Sequence, residues 1–327
     1  MARTNRILLA SFFVCLPGRA LADARADLRD LRRGELPVRH EALGWTNDGR
    51  FAVRTLACSL GGTTACRAEV RIVGGAETEV HELLDVVEVY CDAGSPCEAL
   101  PADVGVQFVH AEEAAMASLP RLTTTEPVGR LSEAFGEVAG EATSFETFVR
   151  AAHVEDLDVP GAIADLVVRA GRSRVRVASL SPAHQRIEGL DLVAVHPSPD
   201  GKRLAVVTNV GPGDMCWGPF WEVSVVVVDV AHVRSRVANS LGLRRYRADD
   251  LAGALAAFSD ATREDPSQAF AWFNRAAVES RGGRLADAQA SLARAIALDA
   301  GMARRACRDR DFDALRHGRP DALRCTD

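Results

Sequence analysis

The sequence predicts an α+β protein, with a β-rich domain followed by an all-α module of helical hairpins. Valine-rich runs alternate with turn signals in the first two thirds of the chain, and a regularly spaced repeat follows them. A short apolar segment with a basic start precedes both regions. We therefore divide the chain into residues 1–22, 23–232 and 233–327.

The composition is that of an ordinary globular protein. The chain has 327 residues, of which 47% are apolar, and its formal net charge is -6. Lys202 is the only lysine, so arginine carries the positive charge. This mild acidity gives no reason to expect strong electrostatic binding of nucleic acid. Beyond the first segment, no stretch reaches the roughly 20 apolar residues that a transmembrane helix needs.

The N-terminal segment, 1–22, has the pattern of a secretory signal peptide. Arg3 and Arg6 form the basic start, residues 7–16 form the apolar run, and Ala20 and Ala22 are the small residues of a cleavage site. We expect cleavage after Ala22 and export to the periplasm or the extracellular space.

Seven cysteines remain after such a cleavage, and close pairs in an oxidising compartment are expected to form disulfides. The candidates are Cys58 with Cys66, Cys91 with Cys97, and Cys307 with Cys325. None of these spacings is the Cys-x2-Cys of a zinc module, so disulfides are favoured over a metal. Cys216 is left as a buried inert thiol, as a partner in a differently paired disulfide or as a reactive thiol. Sequence alone leaves the connectivity open.

Two regions of the 23–232 domain alternate short apolar runs with turn signals, as strands joined by hairpins do. The first spans residues 40–80 and the second spans residues 164–230. Residues 223–228 are rich in valine and bounded by polar residues, which favours a buried strand over a helix. Residues 104–119, between the two regions, have helix-like composition.

One turn-and-strand pattern occurs twice in this domain. Residues 45–53 read WTNDGRFAV, and residues 197–206 read PSPDGKRLAV. Asp-Gly favours a tight turn because glycine tolerates positive φ, and the apolar residues after it begin a strand. The pattern resembles the strand openings of β-propeller repeats of the WD40-like, TolB-associated kind. The resemblance is partial, because the first copy lacks the Ser-Pro and two copies are fewer than the four to eight blades of a propeller.

The last third of the chain repeats with a period of about 34 residues. The matched positions are Ala254 with Ala288, Phe258 with Leu292, Ala261 with Ala295, and Asp265 with Asp299. In the same register lie Leu241-Gly242, Pro266, Trp272 and Gly283. Small alanines let two antiparallel helices approach, large residues fill the space between them, and proline or glycine ends each helix.

This segment resembles a tetratricopeptide repeat (TPR) array over roughly 70 residues. It departs from the family pattern at Arg275, Ala300 and Tyr246, which weakens the edge of the second hairpin. Two hairpins are few for an independent array, so we expect the β-rich domain to supply packing surface. A disulfide between Cys307 and Cys325 would stabilise the C-terminal cap by roughly 3 kcal/mol.

In the TPR family the first helix of each hairpin lines a groove that binds a protein or peptide. The corresponding residues here are Arg236, Asn239, Tyr246, Arg247, Phe270, Phe273, Asn274 and Arg281. Arginine and asparagine hold carboxylates, and aromatic residues accept an apolar anchor. The alternative is that the apolar members pack against the β-rich domain.

Catalytic and cofactor motifs are absent from the sequence, which has no G-x-S-x-G, no H-E-x-x-H and no phosphate-binding P-loop. Asp309, Asp311 and Asp313 alternate as at the start of a calcium loop, but Ala314 and Pro320 replace the required glycine and glutamate. We therefore predict no metal and no cofactor.

Our leading hypothesis is an exported, non-enzymatic protein whose helical module mediates protein-protein interaction or assembly in the periplasm or cell envelope. One alternative is an enzyme of unrecognised type with its site in the 23–232 domain, near Cys216 or His196. The other is a structural role, in which the helices only brace the β-rich domain.

Overall fold

A computed structural model describes most of the chain after residue 38. The described residues are 39–59, 64–89, 102–128, 135–154, 159–180, 187–214, 218–219, 222–319, 323 and 325. The signal-peptide prediction, the pair Cys91–Cys97 and the leftover Cys216 lie outside these residues.

Twelve strands form three antiparallel sheets in the described part of the β-rich domain. Sheet 1 contains β1 (Arg39–Trp45), β2 (Phe51–Ser59), β3 (Thr64–Val73) and β4 (Glu79–Val89). Sheet 2 contains β5 (Glu137–Val138), β6 (Glu141–Val154), β7 (Val159–Ala170) and β8 (Ser173–Ser179). Sheet 3 contains β9 (Ile187–Pro197), β10 (Arg203–Asp214), β11 (Gly218–Pro219) and β12 (Glu222–Asp229). Helix α1 (Ala102–Ser118) lies between the first two sheets in the chain.

The C-terminal part is helical, so the protein belongs to the predicted α+β class. Its helices are α2 (Val230–Arg247), α3 (Leu251–Glu264), α4 (Ala269–Arg281), α5 (Leu285–Leu298), α6 (Gly301–Arg308) and α7 (Asp313–Gly318). A 3-10 turn, Arg310–Phe312, precedes α7. No helix in the described ranges is both long and apolar enough to cross a membrane.

The two Asp-Gly turns have the same local structure. Gly49 and Gly201 have positive φ angles of 79° and 68°, which glycine adopts without strain. In the first turn the Thr46 hydroxyl oxygen accepts a hydrogen bond of 2.9 Å from the Arg50 backbone N–H. In the second turn the Ser198 hydroxyl oxygen accepts one of 2.9 Å from the Arg203 backbone N–H. The Arg203 guanidinium also donates to the Gly49 carbonyl at 2.6 Å. Two turns that are distant in sequence are therefore neighbours in space.

Strand β10 is buried on both faces, which makes sheet 3 the middle layer of the domain. Ala205 and Val207 pack with Trp45 and Phe51 of sheet 1. The alternate residues of β10 enter a second core, which includes sheet 2 and α2. Successive side chains of a strand point to opposite faces of the sheet, and both faces of β10 are buried. Successive residues of such a strand must therefore be apolar, which gives a continuous apolar run in the sequence.

The helices pack in antiparallel pairs, α2 with α3 and α4 with α5. The α2–α3 approach depends on Gly242, since a Cβ atom there would lie only 2.5 Å from the Phe258 ring. Ala254, Ala257 and Ala261 are fully buried on α3, as small residues at a close helix contact should be.

Helix α2 joins the helical module to the β-rich domain. Its N-terminus follows β12 directly, and Asp229 caps it by accepting the His232 N–H at 2.8 Å. Val233, Val237 and Leu241 lie in the same core as the inner faces of sheets 2 and 3. The two domains that the sequence predicts therefore share one hydrophobic core.

Two histidines, the buried His196 and the half-buried His40, lie near residues 121–128, which connect sheets 1 and 3. Thr123 exchanges two backbone hydrogen bonds of 2.8 Å with Trp45, and Thr125 accepts a longer one of 3.4 Å from His196. Burial lowers the pKa of His40, and the neighbouring His196 lowers that pKa further. Burial also lowers the pKa of His196, against opposing effects of the Thr125 hydrogen bond and of Glu126. Burial thus disfavours the charged form of both histidines.

We expect the free energy of unfolding to fall as the pH drops below about 6.5, the usual pKa of histidine in an unfolded chain. A histidine whose pKa is lower in the folded state binds protons more readily when the chain is unfolded. Its contribution to the free energy of unfolding is therefore complete above about pH 6.5 and is lost as the pH falls below that value. Urea denaturation at about pH 7.5 and about pH 5.5 measures the difference. The variant with both His40→Gln and His196→Gln should lose much of this pH dependence, whereas His317→Gln on exposed α7 should retain it. An unchanged pH dependence in the double variant would contradict the assignment.

Candidate functional site: an exposed face of the helical module

The first helices of the two hairpins and the short helix α6 share one face, which we call the helical face. We define the helical face by the residues Asn239, Tyr246, Phe270, Asn274, Arg281 and Arg305, and their contacts are given below. Five of these six were predicted from the sequence, and Arg305 was not.

The middle of the helical face is an amide pair. The Asn274 side-chain nitrogen donates to the Asn239 side-chain oxygen at 2.8 Å, which links α4 to α2. Both side chains are partly exposed. Each amide therefore keeps donors or acceptors that a bound peptide backbone could use.

One end of the helical face is a polar cluster. The Arg281 guanidinium lies 5.0 Å from the centre of the Tyr246 ring and forms a 2.8 Å ion pair with Asp249. Burial raises the pKa of the Tyr246 phenol, and its hydrogen bond to Asp311 adds to this rise. Tyr246 is thus protonated at neutral pH and donates to Asp311. Arg281 is already engaged within the chain and is less available to a ligand than the sequence suggested.

The other end is an aromatic and basic cleft of about 420 Å³. Phe270 is 49% exposed, and the Arg305 guanidinium lies 5.2 Å from the centre of its ring. The cleft is lined by Phe270, Asp299, Gly301, Met302, Arg304, Arg305 and Arg308. Arg304 and Arg308 are exposed and form no ion pair with any residue in the described ranges. This end of the helical face combines an apolar anchor with three arginines and one carboxylate, Asp299, and is therefore net positive.

The positive charge belongs to the helical module as a whole. Residues 230–319 contain 16 arginines and 11 acidic residues, whereas the whole chain contains 39 basic and 45 acidic residues. Arg236 and Arg247 also lack a described ion-pair partner, Arg247 being exposed and Arg236 half-buried. The module is therefore net basic within an acidic protein, which favours acidic partners at its surface.

Phe273 is not part of the accessible surface, which corrects the prediction for this residue. It is only 3% exposed, and its ring centre lies 5.1 Å from that of Phe312. Leu292, Met302 and Leu315 complete the core around it. Phe312 and Leu315 belong to the C-terminal tail, the residues after α6, and not to the β-rich domain. The alternative interpretation therefore also named the wrong packing partner. The apolar spacing of Phe312 and Leu315 is the signal that could have revealed this packing.

The tail is fastened by the predicted disulfide between Cys307 and Cys325. Leu323, close to Cys325 in the chain, is 6% exposed and packs into the core of Phe273 and Phe312. In sheet 1, Cys66 is part of a disulfide, and Cys58 stands opposite it in the β2–β3 pairing. This register agrees with the predicted pair.

A buried carboxylate holds the second hairpin together beneath the helical face. The Glu279 side chain is fully buried, and its oxygens lie 2.9 Å from Arg275, 3.0 Å from Arg284 and 2.7 Å from the Ser291 hydroxyl. These partners come from α4, from the turn that follows it and from α5. A buried charge needs such pairing because its desolvation is costly. Sequence reasoning missed Glu279, since its helical spacing does not distinguish it from an exposed acid.

The other candidate sites are structural in character. Asp309 caps the 3-10 turn by accepting the Asp311 N–H at 3.1 Å, and Asp313 is paired with Arg316. Within the described ranges, no three His, Cys, Asp or Glu side chains converge on one point. His196 is 7% exposed, and its ring centre lies 5.3 Å from that of Phe51. It serves as a core residue between sheets 1 and 3.

The fold and the helical face define an α+β protein that ends in paired antiparallel helices and presents a basic, partly aromatic surface. No protein-family model, curated protein or solved structure matches the chain.

Glu279→Ala should lower the free energy of unfolding by about 2–4 kcal/mol, because Arg275, Arg284 and Ser291 lose a shared acceptor. Asp287→Ala is the matched control. It removes another carboxylate that pairs with Arg284 at 3.1 Å, but this one is exposed, so its effect should stay within about 1 kcal/mol. Urea denaturation compares the two, and equal effects would contradict the role assigned to burial.

Replacing Cys307 and Cys325 together by serine should lower the free energy of unfolding by roughly 3 kcal/mol, since the disulfide closes a loop of 18 residues. Thermal denaturation of the oxidised protein, the reduced protein and the double variant provides the measurement. The reduced protein should be less stable than the variant, because reduction also opens the disulfide at Cys66. A double variant as stable as the oxidised protein would show that core packing alone holds the tail.

Proposed function

We propose that this is an exported, non-enzymatic protein whose helical module is of the TPR type and mediates protein-protein interaction or assembly in the periplasm or cell envelope. The observation that carries the proposal is the cleft at Phe270, where an exposed aromatic ring lies among exposed arginines. Aromatic residues and arginine are enriched at protein interfaces, and arginine is common among the residues that dominate binding energy.

The TPR assignment is supported by the packing of the repeated positions. Ala254 and Ala288 are buried at equivalent positions of α3 and α5, as are the larger Phe258 and Leu292. Each pair fills the space between two antiparallel helices. The repeat in the sequence therefore coincides with a repeat in packing.

Export is supported by the cysteine chemistry. The Cys307–Cys325 disulfide and the disulfide at Cys66 persist in oxidising compartments, and proteins kept in a reducing cytosol rarely carry such bonds. Together with the signal-peptide pattern of residues 1–22, this favours the periplasm or the extracellular space.

The shared core favours a second role, in which the helices also brace the β-rich domain. Val233, Val237 and Leu241 of α2 lie in one core with both adjoining sheets. The two roles are compatible, since α2 buries one side against the sheets and carries Asn239 on another. Bracing assigns no function to the exposed Phe270 and Arg304, whereas recognition does.

Binding should depend on the cleft. A variant with Phe270→Ala, Arg304→Glu and Arg308→Glu should lose the partners that the wild-type protein retains from native envelope extracts, because it removes the apolar anchor and reverses the local charge. Quantitative mass spectrometry of the retained proteins is the measurement. Arg263→Glu, at an exposed position of α3, is the control and should keep the partners, although it removes an ion pair with Asp260.

The variant positions are exposed, so the thermal stability of the triple variant should stay close to that of the wild type. A partner profile that is the same for wild type, control and triple variant would rule out the cleft as a recognition site. Arg247→Glu tests the opposite end of the module, and an effect confined to that variant would move the proposed site there.

A further inference from the structure

Strand β6 has an open edge. It has 14 residues, and β7 pairs with it on one side from Thr143 to Val154. On its other side β5 pairs only with residues 141–142. Among the residues that the structure describes, no strand pairs with this second edge over residues 143–152. Unpaired N–H and C=O groups along an edge are a template for another strand.

The open part of β6 is also unusually apolar for an edge. Phe148 is 50% exposed and Val149 is 41% exposed, on opposite faces of the sheet. The other edge of sheet 2, strand β8, instead carries the exposed Arg174 and Arg176. Charged residues on an edge discourage strand addition, and exposed apolar residues favour it. Within this sheet, β6 is thus the edge suited to receive a strand.

The sequence of β6 is complementary to itself in one antiparallel register. If two copies pair with Phe148 at the centre, Phe148 faces Phe148, and Glu146 of each copy faces Arg150 of the other. Moving the centre by one residue, to Thr147 or Val149, places Phe148 opposite Glu146 or Arg150 instead. Opposite charges and paired aromatic residues across neighbouring strands stabilise a sheet, so the register centred on Phe148 is preferred.

The two charged side chains have partners within their own sheet and keep capacity for further ones. The Arg150 Nε atom donates to the buried Asp165 at 2.5 Å, which fixes the guanidinium at the surface of the sheet. Its two terminal nitrogens are further donors for a second acceptor. Glu146 pairs with Arg169 of β7 at 3.0 Å and with Arg174 of β8 at 3.4 Å, and it is 30% exposed. Its carboxylate would turn from these partners towards the open edge to meet a second copy.

We propose that the β6 edge is an interaction surface for a second copy of this chain. The two β6 strands pair antiparallel about Phe148 and join two four-stranded sheets into one continuous sheet across a twofold axis. A twofold interface of this kind is isologous, which is why one strand can supply both halves of each contact. The surface is separate from the helical face, so either proposal can fail without the other.

Cysteine cross-linking tests the register in the full-length chain. Directly opposite residues in an antiparallel pair have Cα atoms about 4.5–5.5 Å apart, within the range that a disulfide spans. Phe148→Cys should therefore form an intermolecular disulfide under mild oxidation, identified by mass spectrometry of the linked peptide. A mixture of Glu146→Cys and Arg150→Cys should form the mixed dimer in preference to either homodimer. Arg174→Cys on the other sheet edge should form none.

Light scattering after size-exclusion chromatography tests the assembly without relying on an engineered thiol. The wild-type protein should show twice the mass of one chain at micromolar concentrations, and Phe148→Arg should raise the dimer Kd by about a hundredfold or more. Arg174→Ala should leave the mass unchanged. The proposal is overturned by a wild-type monomer at all concentrations, or by a dimer that Phe148→Arg does not weaken. A monomer that instead captures another protein at Phe148 would also overturn it, and would assign the edge to that partner.

Discussion

The double burial of strand β10 is the constraint on which the rest of the structure depends. Its alternate side chains enter two different cores, one with sheet 1 and one with sheet 2 and α2. A strand between two layers cannot expose either face, so Ala205 and Val206 must both be apolar although they point in opposite directions. Arg203, at the start of the same strand, bonds the Gly49 turn of sheet 1. One strand thus sets the positions of all three sheets and of the first helix of the module.

The helical module derives its stability from that arrangement at one end and from its tail at the other. Two helical hairpins bury too little surface to be stable alone. Helix α2 uses the β-rich domain as its inner neighbour, and the tail fastened by Cys325 covers Phe273 at the outer end. The surface that remains open lies between these two caps. Phe270 is exposed there because neither cap reaches it, whereas Phe273 on the next turn of the same helix is buried under the tail.

Local chemistry was readable from the sequence, and contacts between distant segments were not. The turns at Gly49 and Gly201, the strand over residues 223–228 and the repeat at Ala254 follow from residue type and spacing, and each forms as predicted. The burial of Phe273 depends on Phe312, which lies beyond two intervening helices in the chain, and periodicity alone cannot assign that partner. Arg305 was missed for the same reason, because its role follows from the placement of α6 over Phe270.

The distribution of charge explains why the two proposed surfaces require different partners. The helical face has more arginine than acid, and a net basic surface repels its own copies while it attracts acidic partners. The β6 edge has equal numbers of opposite charges flanking one aromatic residue, an arrangement that is neutral towards itself. A surface whose positive and negative charges lie symmetrically about its centre can pair with an identical surface. A surface that carries charge of only one sign repels an identical surface. The proposed self-association is therefore centred on Phe148 of the β6 edge, and the proposed recognition of another protein is centred on Phe270 of the helical face. Both residues are exposed aromatic residues among arginines.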